Sequence, residues 1–161
     1  MTTDHRPPTA EELAIRALVQ ADVAEIARWV AATPLWQRYG VSEASFAERL
    51  SNGRASDATI FVAEQAGRVL GFVWLVERGA FNRSAYIQLI GVRPEARGSH
   101  VGRALMEFAE THAQSREMFL LVSDFNLDAQ RFYQRLGYRQ VGQLDSYVVA
   151  DVSELIFWKK L

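Results

Sequence analysis

The sequence predicts a mixed α/β domain organised around one sheet. The chain has 161 residues, a length that suits a single domain with its own core. Hydrophobic residues make up 49% of it and charged residues 23%, fractions typical of a globular rather than a disordered chain. Strand and helix patterns follow the order strand, two helices, three strands, helix, strand, helix, two strands, which favours helices packed on a mixed sheet.

The first third of the chain predicts one strand followed by two helices. Residues 14–18 alternate in polarity, which favours a first strand. Asp22 is an N-cap residue type immediately before apolar residues at helical spacing, and Pro34 ends this helix. Ser42 begins a second helix, and Gly53 lies beyond its end.

The remaining elements are a hairpin, two strand–helix pairs and two final strands. The small turn Ala66-Gly67-Arg68 separates two strand-like runs and predicts a β-hairpin. A strand over 85–92 ends before Arg93-Pro94, and Gly137 is a C-cap candidate for the last helix. The other segments are a helix to about residue 115, a strand at 119–123, a helix at 126–136 and strands at 138–149 and 154–161.

Composition excludes several classes of protein and site. The formal net charge is -1, so no overall basic surface for nucleic acid is present. The absence of cysteine excludes disulfides, thiolate nucleophiles and cysteine-bound metals, and the three histidines are too scattered to predict a metal site. No apolar run approaches the ~20 residues of a membrane helix. Residues 1–12 are polar and predict a flexible arm rather than a secretory signal, so we expect a cytoplasmic protein.

A loop rich in small residues follows the strand that ends at Val92. The segment Arg97-Gly98-Ser99-His100-Val101-Gly102-Arg103 leads into a helix, and little side-chain bulk covers its backbone N–H groups. Such groups at a helix start bind phosphate. The Walker pattern fails at Gly102-Arg103-Ala104, and the dinucleotide pattern fails because only two of its three glycines are present. The segment alone fits a phosphate-binding loop and a plain strand-to-helix turn equally well.

A second segment, residues 123–138, begins at the end of a strand and continues into a helix. Asn126 precedes the helix, where its side chain can cap the helix or hold a ligand amide. Tyr133 lies on the apolar face of the helix. Its spacing alone favours a core tyrosine whose hydroxyl bonds to a backbone group.

Together the two segments resemble the GNAT family of acetyl-CoA-dependent N-acetyltransferases. That family carries a loop of the form Gln/Arg-x-x-Gly-x-Gly/Ala after a strand ending in Val-x-Pro, here Val92-Arg93-Pro94 followed by Arg97 to Gly102. It also carries a downstream motif similar to Asn-x-x-Ala-x-x-Phe-Tyr-x-x-x-Gly-Phe/Tyr. The matching residues are Asn126, Ala129, Phe132, Tyr133, Gly137 and Tyr138. The resemblance covers roughly residues 13–161 and implies a single domain of that extent.

The resemblance implies a fold and a reaction. The fold is a mostly antiparallel central sheet of about seven strands flanked by about four helices, with a V-shaped gap between the strands near 86–92 and 118–123. The reaction uses acetyl-CoA as co-substrate and no metal, and an amine of a small molecule or peptide attacks the thioester directly in a ternary complex. A homodimer is expected, whereas nucleic acid and membrane are not expected as partners.

The resemblance also implies roles for individual residues. Tyr133 would act as the general acid at the leaving sulfur. His100 departs from the family pattern, which has glycine there. Either His100 adopts a backbone conformation that glycine would find easy, or its side chain crowds the pyrophosphate. The residues implied to contact acetyl-CoA are Ile90, Val92, Arg97, Gly98, Ser99, His100, Val101, Gly102, Arg103, Asn126 and Tyr133.

The general base lacks a clear signal in the sequence. Family members often place a carboxylate on the strand before the loop, but residues 86–92 contain none, and Gln88 can orient a water without being a base. The alternative carboxylates are Asp124, Asp145 and Glu154, and each is also explained as a solvated charge at a turn or a sheet edge. We name Glu154 as the catalytic candidate, because the last strand lies across from the thioester gap in this family.

Aromatic residues around Pro34 are candidates for the acceptor site. The connection between the first two helices often lines that site in the family, so Trp36 and Tyr39 would contact the acceptor, together with Gln88. The same aromatic side chains are equally explained as a cover for the core. The alternative function is an acyl-CoA-binding module without catalysis, which His100 and the missing strand carboxylate would support.

Overall fold

The structure is a computed structural model that describes residues 12–53 and 58–161, so the predicted N-terminal arm, residues 1–12, lies almost wholly outside the described residues. The described strands are β1 (Ala14–Ala17), β2 (Ala58–Gln65), β3 (Arg68–Ala80), β4 (Ser84–Val92), β5 (Glu117–Ser123), β6 (Arg139–Leu144) and β7 (Glu154–Lys160). The described α-helices are α1 (Gln20–Ala31), α2 (Pro34–Arg38), α3 (Glu43–Gly53), α4 (Val101–His112) and α5 (Leu127–Arg135).

These strands form one seven-stranded sheet in the order β1-β2-β3-β4-β5-β7-β6. The pair β4–β5 is parallel and the other neighbouring pairs are antiparallel. The predicted fold class, a mostly antiparallel mixed sheet flanked by helices, is therefore confirmed. Residues 12–53 and 58–161 contain one α-helix more than predicted, because the short helix α2 follows Pro34, which was expected only to end the first helix.

The two faces of the sheet carry separate hydrophobic cores. On one face, α1 and α3 bury residues such as Ile26 and Phe46 against β2 and β3. On the other face, α4 and α5 pack over the middle of the sheet, where Leu105, Tyr133 and Phe157 are buried together. We call these the α1–α3 face and the α4–α5 face. Alternation of side chains along each strand assigns every strand residue to one face or the other.

The start of α1 differs from the prediction. Val19 is the N-cap residue, and Asp22 lies inside the first turn. The Asp22 carboxylate reaches back to accept the backbone N–H of Val19 at 2.9 Å, and Arg16 donates to both of its oxygens at 2.7 and 2.9 Å. The prediction that Asp22 is the N-cap residue is wrong, because Val19 holds that position, but Asp22 does cap the helix from within its first turn.

Proline and glycine also set helix boundaries differently from expectation. Pro34 is the first residue of α2, where its missing N–H costs no hydrogen bond. Ser42 does begin α3, since its hydroxyl oxygen accepts the N–H of Ser45 at 3.2 Å. Gly53 is the last residue of α3 rather than the residue beyond its end. No helix among the described residues has the length and apolar character needed to span a membrane.

Two turns decide where strands end. The β2–β3 hairpin forms as predicted, and Ala66 and Gly67 have φ values of +50° and +74°, as a two-residue turn of the type I′ requires. The predicted strand over 138–149 is too long, because β6 ends at Leu144. Ser146 then has a φ of +49°, a left-handed conformation that does not continue a β-ladder.

Candidate active site

A gap opens between the two parallel strands in the middle of the sheet. Residues 85–87 of β4 pair with residues 118–120 of β5, and no pairing between the two strands continues beyond that point. Residues 89–92 pair only with β3, and residues 121–123 pair only with β7. One edge of each strand is therefore open toward the gap, at the place that the family resemblance implies. Gln88 is the extra residue of a bulge in β4 beside this opening.

The loop between β4 and α4 presents backbone N–H groups that have no partner in the described chain. Its first part is a single 3-10 turn at Pro94–Ala96, and Gly98 then has a φ of +78°. The first intrahelical bond of α4 runs from Ala104 to the carbonyl of His100 at 2.9 Å. Among the described residues no acceptor is found for the N–H groups of Gly98, His100, Val101, Gly102 and Arg103.

This loop fits a pyrophosphate. Five unbonded N–H groups lie between Gly98 and the first turn of α4, so hydrogen-bond donors and the positive end of the helix dipole are found in one short stretch. A Cβ at Gly98 would meet nothing within 4 Å, so space is open above it. A Cβ at Gly102 would lie 3.3 Å from Phe132, and this close approach holds the start of α4 against α5. The arrangement favours the phosphate-binding interpretation over a plain turn.

His100 occupies the position where the family pattern has glycine. It is the N-cap residue of α4 and has φ +66° and ψ -2°, in the left-handed region. Histidine is among the residues enriched in this region, although a side chain there is uncommon. The backbone therefore adopts the conformation expected for glycine, which is the first of the two interpretations of His100. The side chain is exposed beside the loop.

Helix α5 is closed at both ends by its own sequence. The Asn126 side-chain oxygen accepts the N–H of Ala129 at 3.2 Å, as an N-cap does. At the other end Gly137 has φ +92°, and the N–H groups of Gly137 and Tyr138 bond to the carbonyls of Gln134 and Tyr133 at 3.0 Å each. This is a Schellman motif, and it confirms Gly137 as the C-terminal glycine. The fixed helix holds Tyr133 in one place.

The Tyr133 side chain is buried, but its hydroxyl has no hydrogen-bond partner in the described chain. The residue is 6% exposed, and its ring packs edge-on against Phe132 and Tyr138. Tyr133 is therefore a core tyrosine, as its spacing favours, but the expected backbone partner of its hydroxyl is not found among the described residues. Burial raises the pKa of Tyr133 above its ordinary value, so the phenol keeps its proton at neutral pH. The group is a free donor inside the fold.

Glu154, the first residue of β7, is 5% exposed and not a solvated edge charge. The Tyr39 hydroxyl donates to its Oε1 at 2.5 Å and also lies 2.5 Å from Ser123 Oγ. Burial raises the pKa of Glu154, and the nearby charge of Asp124 raises it further, although the bond from Tyr39 opposes them. Burial and Glu154 together raise the pKa of Tyr39 to about 12. The Glu154 carboxylate therefore binds a proton more tightly than an exposed carboxylate does.

The register places Tyr133 and Glu154 on opposite faces of the sheet. Ser123 pairs with Glu154, and their neighbours Val122 and Leu155 belong to the core that contains Tyr133. Because side chains alternate along a strand, Ser123 and Glu154 point to the α1–α3 face, whereas Tyr133 approaches from the α4–α5 face. A proton donor and a proton acceptor thus stand on the two sides of the sheet around the gap.

The other two candidate acids are exposed and engaged in turns. Asp124 accepts the N–H of Ser153 at 3.2 Å. Asp145 accepts the side chains of Gln143 and Ser153 at 2.6 and 2.9 Å, and these bonds lower the pKa of Asp145. Both carboxylates thus fit the solvated-turn interpretation, which leaves Glu154 as the buried acid.

The predicted acceptor residues are only partly brought together. Tyr39 contacts Glu154, but Trp36 leans on Phe46 in the core of the α1–α3 face, with ring centroids 6.2 Å apart. Gln88 lies in the β4 bulge, and no described contact joins it to Tyr39 or Glu154. Trp36 therefore fits the interpretation that it covers the core, whereas Tyr39 fits the interpretation that it contacts the acceptor.

Sequence reasoning missed two hydroxyl groups that interact with Glu154 or with its partner Tyr39, those of Ser123 and Tyr86, and a third, Tyr147, that interacts with Tyr86. Ser123 bonds to Tyr39, and its signal was a polar residue at the end of an otherwise apolar strand. Tyr86 on β4 interacts electrostatically with Glu154, Tyr133 and Tyr147, and burial raises its pKa to about 12. Tyr147, in the β6–β7 loop, is largely exposed. Neither tyrosine had a distinguishing sequence signal.

Comparison with curated proteins finds acetyltransferases. The chain is 36% identical over 88 residues to mycothiol acetyltransferase from Thermobispora bispora, and the aligned stretch covers 50% of this chain and 30% of that protein. It is 36% identical over 100 residues to streptothricin acetyltransferase from Streptomyces lavendulae, and the aligned stretch covers 60% of this chain and 52% of that protein. In both cases the matched stretch spans less than two thirds of the relative.

Solved structures with the same fold cover nearly the whole chain. An N-acetyltransferase from Staphylococcus aureus Mu50 superposes with a TM-score of 0.78 at 16% identity, over 93% of this chain and 99% of that one. A Salmonella typhimurium protein, solved with its cofactor acetyl-CoA, superposes with a TM-score of 0.73 at 16% identity, over 92% and 94%. At these identities the likeness establishes the fold.

The sequence model of the acetyltransferase (GNAT) family matches residues 23–138, well over half of the chain. The matched stretch includes both the loop before α4 and the segment from Asn126 to Tyr138. The resemblance stated from these two segments is therefore confirmed. The chain belongs to the acetyltransferase (GNAT) family.

Proposed function

We propose that this chain is an N-acetyltransferase that moves an acetyl group from acetyl-CoA to an amine acceptor in a ternary complex. Membership of an acetyltransferase family supports the transfer itself, and the site supports roles for individual residues. We also propose that residues 13–161 form one domain, because one continuous sheet carries both cores.

The α4–α5 face and the gap would bind acetyl-CoA. The unbonded N–H groups from Gly98 to Arg103 would hold the pyrophosphate, with Arg97 beside them. The open edge of β4 at Ile90 and Val92 would pair with the pantetheine arm. The Asn126 side-chain nitrogen, for which no acceptor is found among the described residues, would donate to a pantetheine carbonyl. When bound, acetyl-CoA supplies the activated thioester.

The reaction needs one proton taken from the amine and one delivered to the sulfur. Glu154 would accept the amine proton as the nitrogen bonds to the thioester carbon. The carbon–sulfur bond then breaks, and Tyr133 would donate its hydroxyl proton to the departing thiolate. The products are the amide and the free thiol, and solvent returns the proton from Glu154 to the Tyr133 phenolate.

The pKa directions suit these roles. A lysine-like amine has a pKa of ~10.4 and is charged at neutral pH, so it must first release one proton to solvent before it can attack. The neutral amine then loses a second proton during the attack, and this is the proton that Glu154 would take. The raised pKa of Glu154 makes it a better base than an exposed carboxylate. Burial keeps the Tyr133 phenol protonated at neutral pH but also makes it a weaker acid, so its proton would move only when the thiolate departs beside it in the same buried site.

One observation carries the proposal: the partnerless Tyr133 hydroxyl and the buried Glu154 carboxylate lie on opposite faces of the sheet around the gap. In direct acyl transfer the amine adds to the carbonyl carbon from above the plane of the thioester, and the sulfur then leaves from the tetrahedral intermediate, so the two proton transfers take place at different atoms. The sheet would therefore give the two proton transfers separate places, with Glu154 on the α1–α3 face and Tyr133 on the α4–α5 face. Tyr39 would contact the acceptor from the α1–α3 face, and Gln88 and Trp36 are the further candidates there.

The test is release of free thiol from acetyl-CoA with pooled amine acceptors, run beside a thermal shift with acetyl-CoA alone. We expect acetyl-CoA to raise the melting temperature and at least one pool to release thiol above the rate without amine. Splitting the active pool then identifies the acceptor class.

Two outcomes would count against the proposal. Stabilisation by acetyl-CoA without reaction in any pool would favour the binding module without catalysis. No stabilisation at saturating acetyl-CoA would contradict the assignment of the loop before α4, and His100 would be the first residue to exchange.

A further inference from the structure

Three hydroxyl and carboxyl groups form a continuous hydrogen-bonded chain on the α1–α3 face. They come from distant parts of the sequence: Tyr39 follows α2, Ser123 ends β5 and Glu154 begins β7. Both contacts of the Tyr39 hydroxyl measure 2.5 Å. The chain joins the short helix α2 to β5, which borders the gap, and to β7, the next strand of the sheet.

The direction of the protons in this chain follows from counting donors. The Tyr39 hydroxyl has one proton, and it donates that proton to Glu154 Oε1. Ser123 must then be the donor in its contact with Tyr39. Among the described residues no donor is found for Glu154 Oε2. One oxygen of the carboxylate is thus fixed, and the other is open.

We propose that Tyr39 is the positioning residue of the general base: it holds Oε1 of Glu154, with Ser123 behind it, so that Oε2 receives the acceptor's proton. This inference rests on the proposed function of Glu154. It adds a residue from the acceptor-side connection between α1 and α3 to the acid–base machinery, and it names the oxygen that reacts.

The Tyr39 hydroxyl is not needed to hold α2 in its position. Three other contacts hold that helix: Trp36 leans on Phe46, the Arg38 guanidinium lies 3.8 Å from the centre of the Phe125 ring, and Gln37 donates to the carbonyl of Ala31 at 3.0 Å. Removal of the Tyr39 hydroxyl alone would leave all three. A Phe side chain at position 39 would therefore keep the ring in place and isolate the bond to Glu154.

The groups around Glu154 give the sign of the effect. Asp124 beyond β5 carries a like charge, and Tyr86 on β4 is the other titratable group in electrostatic contact with it. Arg38 acts on Tyr39. Burial and Asp124 disfavour the charged carboxylate, whereas the Tyr39 bond favours it. Loss of the hydroxyl removes the favourable contribution, so Glu154 should hold its proton to higher pH.

The direct experiment is a carbon-13 NMR titration of the glutamate side-chain carboxyls in the full chain, with the Glu154 signal assigned by its loss in Glu154→Gln. It requires no acceptor. We expect the Glu154 midpoint to move to higher pH in Tyr39→Phe and by a smaller step in the same direction in Ser123→Ala, because Ser123 acts through Tyr39. An unchanged midpoint in Tyr39→Phe would overturn the inference. If Tyr39→Phe fails to fold, an unchanged midpoint in Ser123→Ala overturns it.

Turnover gives the second readout, with acetyl-CoA and an amine found to release thiol. In Tyr39→Phe we expect kcat/KM to fall roughly tenfold at pH 7, the loss of one charge-assisted hydrogen bond, and the acidic limb of the pH–rate profile to move to higher pH. A loss of equal size at every pH would indicate a merely structural role and contradict the inference. If Glu154→Gln turned over normally, the base assignment would fail, while the titration would still report whether Tyr39 acts on Glu154.

Discussion

The two faces of the sheet around the gap are built from the sequence in different ways. On the α4–α5 face, the loop at 97–103 and the segment at 126–138 each place their groups through local geometry: a helix start, a cap and a Schellman motif. On the α1–α3 face, Tyr39, Ser123 and Glu154 are separated by up to 115 positions and meet only through sheet pairing.

This difference separates groups that carry a local sequence motif from groups that are brought together only by the fold. Local geometry can be inherited as a short motif, so the groups proposed to bind acetyl-CoA carry a signature. The groups proposed to handle the amine depend on which residue packs beside which strand. The acceptor side can therefore change without altering the acetyl-CoA side, and each side can be tested by its own variants.

The largest expected effect is at Tyr133. Tyr133→Phe keeps the ring but removes the proposed proton donor, so we expect kcat to fall by about 10²–10⁴-fold, the usual contribution of a general acid. Acetyl-CoA affinity, measured by calorimetry, should stay near the original value. Tyr138→Phe is the matched control, since that hydroxyl donates to Glu110 at 2.9 Å and has no proposed role. Normal turnover in Tyr133→Phe would remove it from the acid role.

Glu154→Gln should have the next largest effect, on the opposite face. The amide retains the shape and can accept the Tyr39 hydroxyl but cannot take a proton, so we expect about 10²-fold loss of kcat/KM at pH 7. In the original protein kcat/KM should fall as pH is lowered through a range above that of an ordinary carboxylate, because burial raises the pKa of Glu154. A pH–rate profile of both proteins checks this.

The same substitution should stabilise the fold in a pH-dependent way. A carboxyl whose pKa is higher in the folded than in the unfolded state contributes stability at low pH and loses it as pH rises through the folded pKa. The melting temperature of Glu154→Gln relative to the original should therefore increase between acidic and neutral pH. Melting curves across that range would refute the burial argument if the difference stayed constant.

A smaller effect is expected from Gly98→Ala in the loop. Its φ of +78° strains any L side chain by roughly 1–2 kcal/mol, so the loop should relax and its N–H groups should turn away. We expect acetyl-CoA to bind about tenfold more weakly, at a cost of ~1.4 kcal/mol. Gly67→Ala is the control, because its φ of +74° imposes similar strain in the β2–β3 turn. Equal affinities in the two variants would contradict the loop's role.

The smallest effect is expected at His100. Its backbone already adopts the left-handed conformation, so His100→Gly should leave acetyl-CoA affinity within about tenfold, or ~1.4 kcal/mol. Calorimetric titration of both proteins measures this. A gain of a hundredfold would show that the imidazole crowds the pyrophosphate.

The sequence predicts the fold and one face of the site better than the other. Periodicity and turn residues locate the sheet, because these signals act within a few residues. They misplace Asp22, since a side chain in the first turn of a helix can bond to the same N–H groups as an N-cap residue. They also extend β6 past Leu144, since the turn at Ser146 gives no clear sequence signal. Ser123 was missed because its significance depends on Tyr39, 84 positions away.

A crystal structure with acetyl-CoA bound would test the central claim most directly. The distance from the Tyr133 hydroxyl to the thioester sulfur is the quantity to measure. We expect it to lie within hydrogen-bonding reach, with the pyrophosphate on the N–H groups from Gly98 to Arg103 and the acetyl carbon open toward Glu154. A sulfur out of reach of Tyr133, or an acetyl group closed off from Glu154 by the sheet, would contradict the division of acid and base between the two faces.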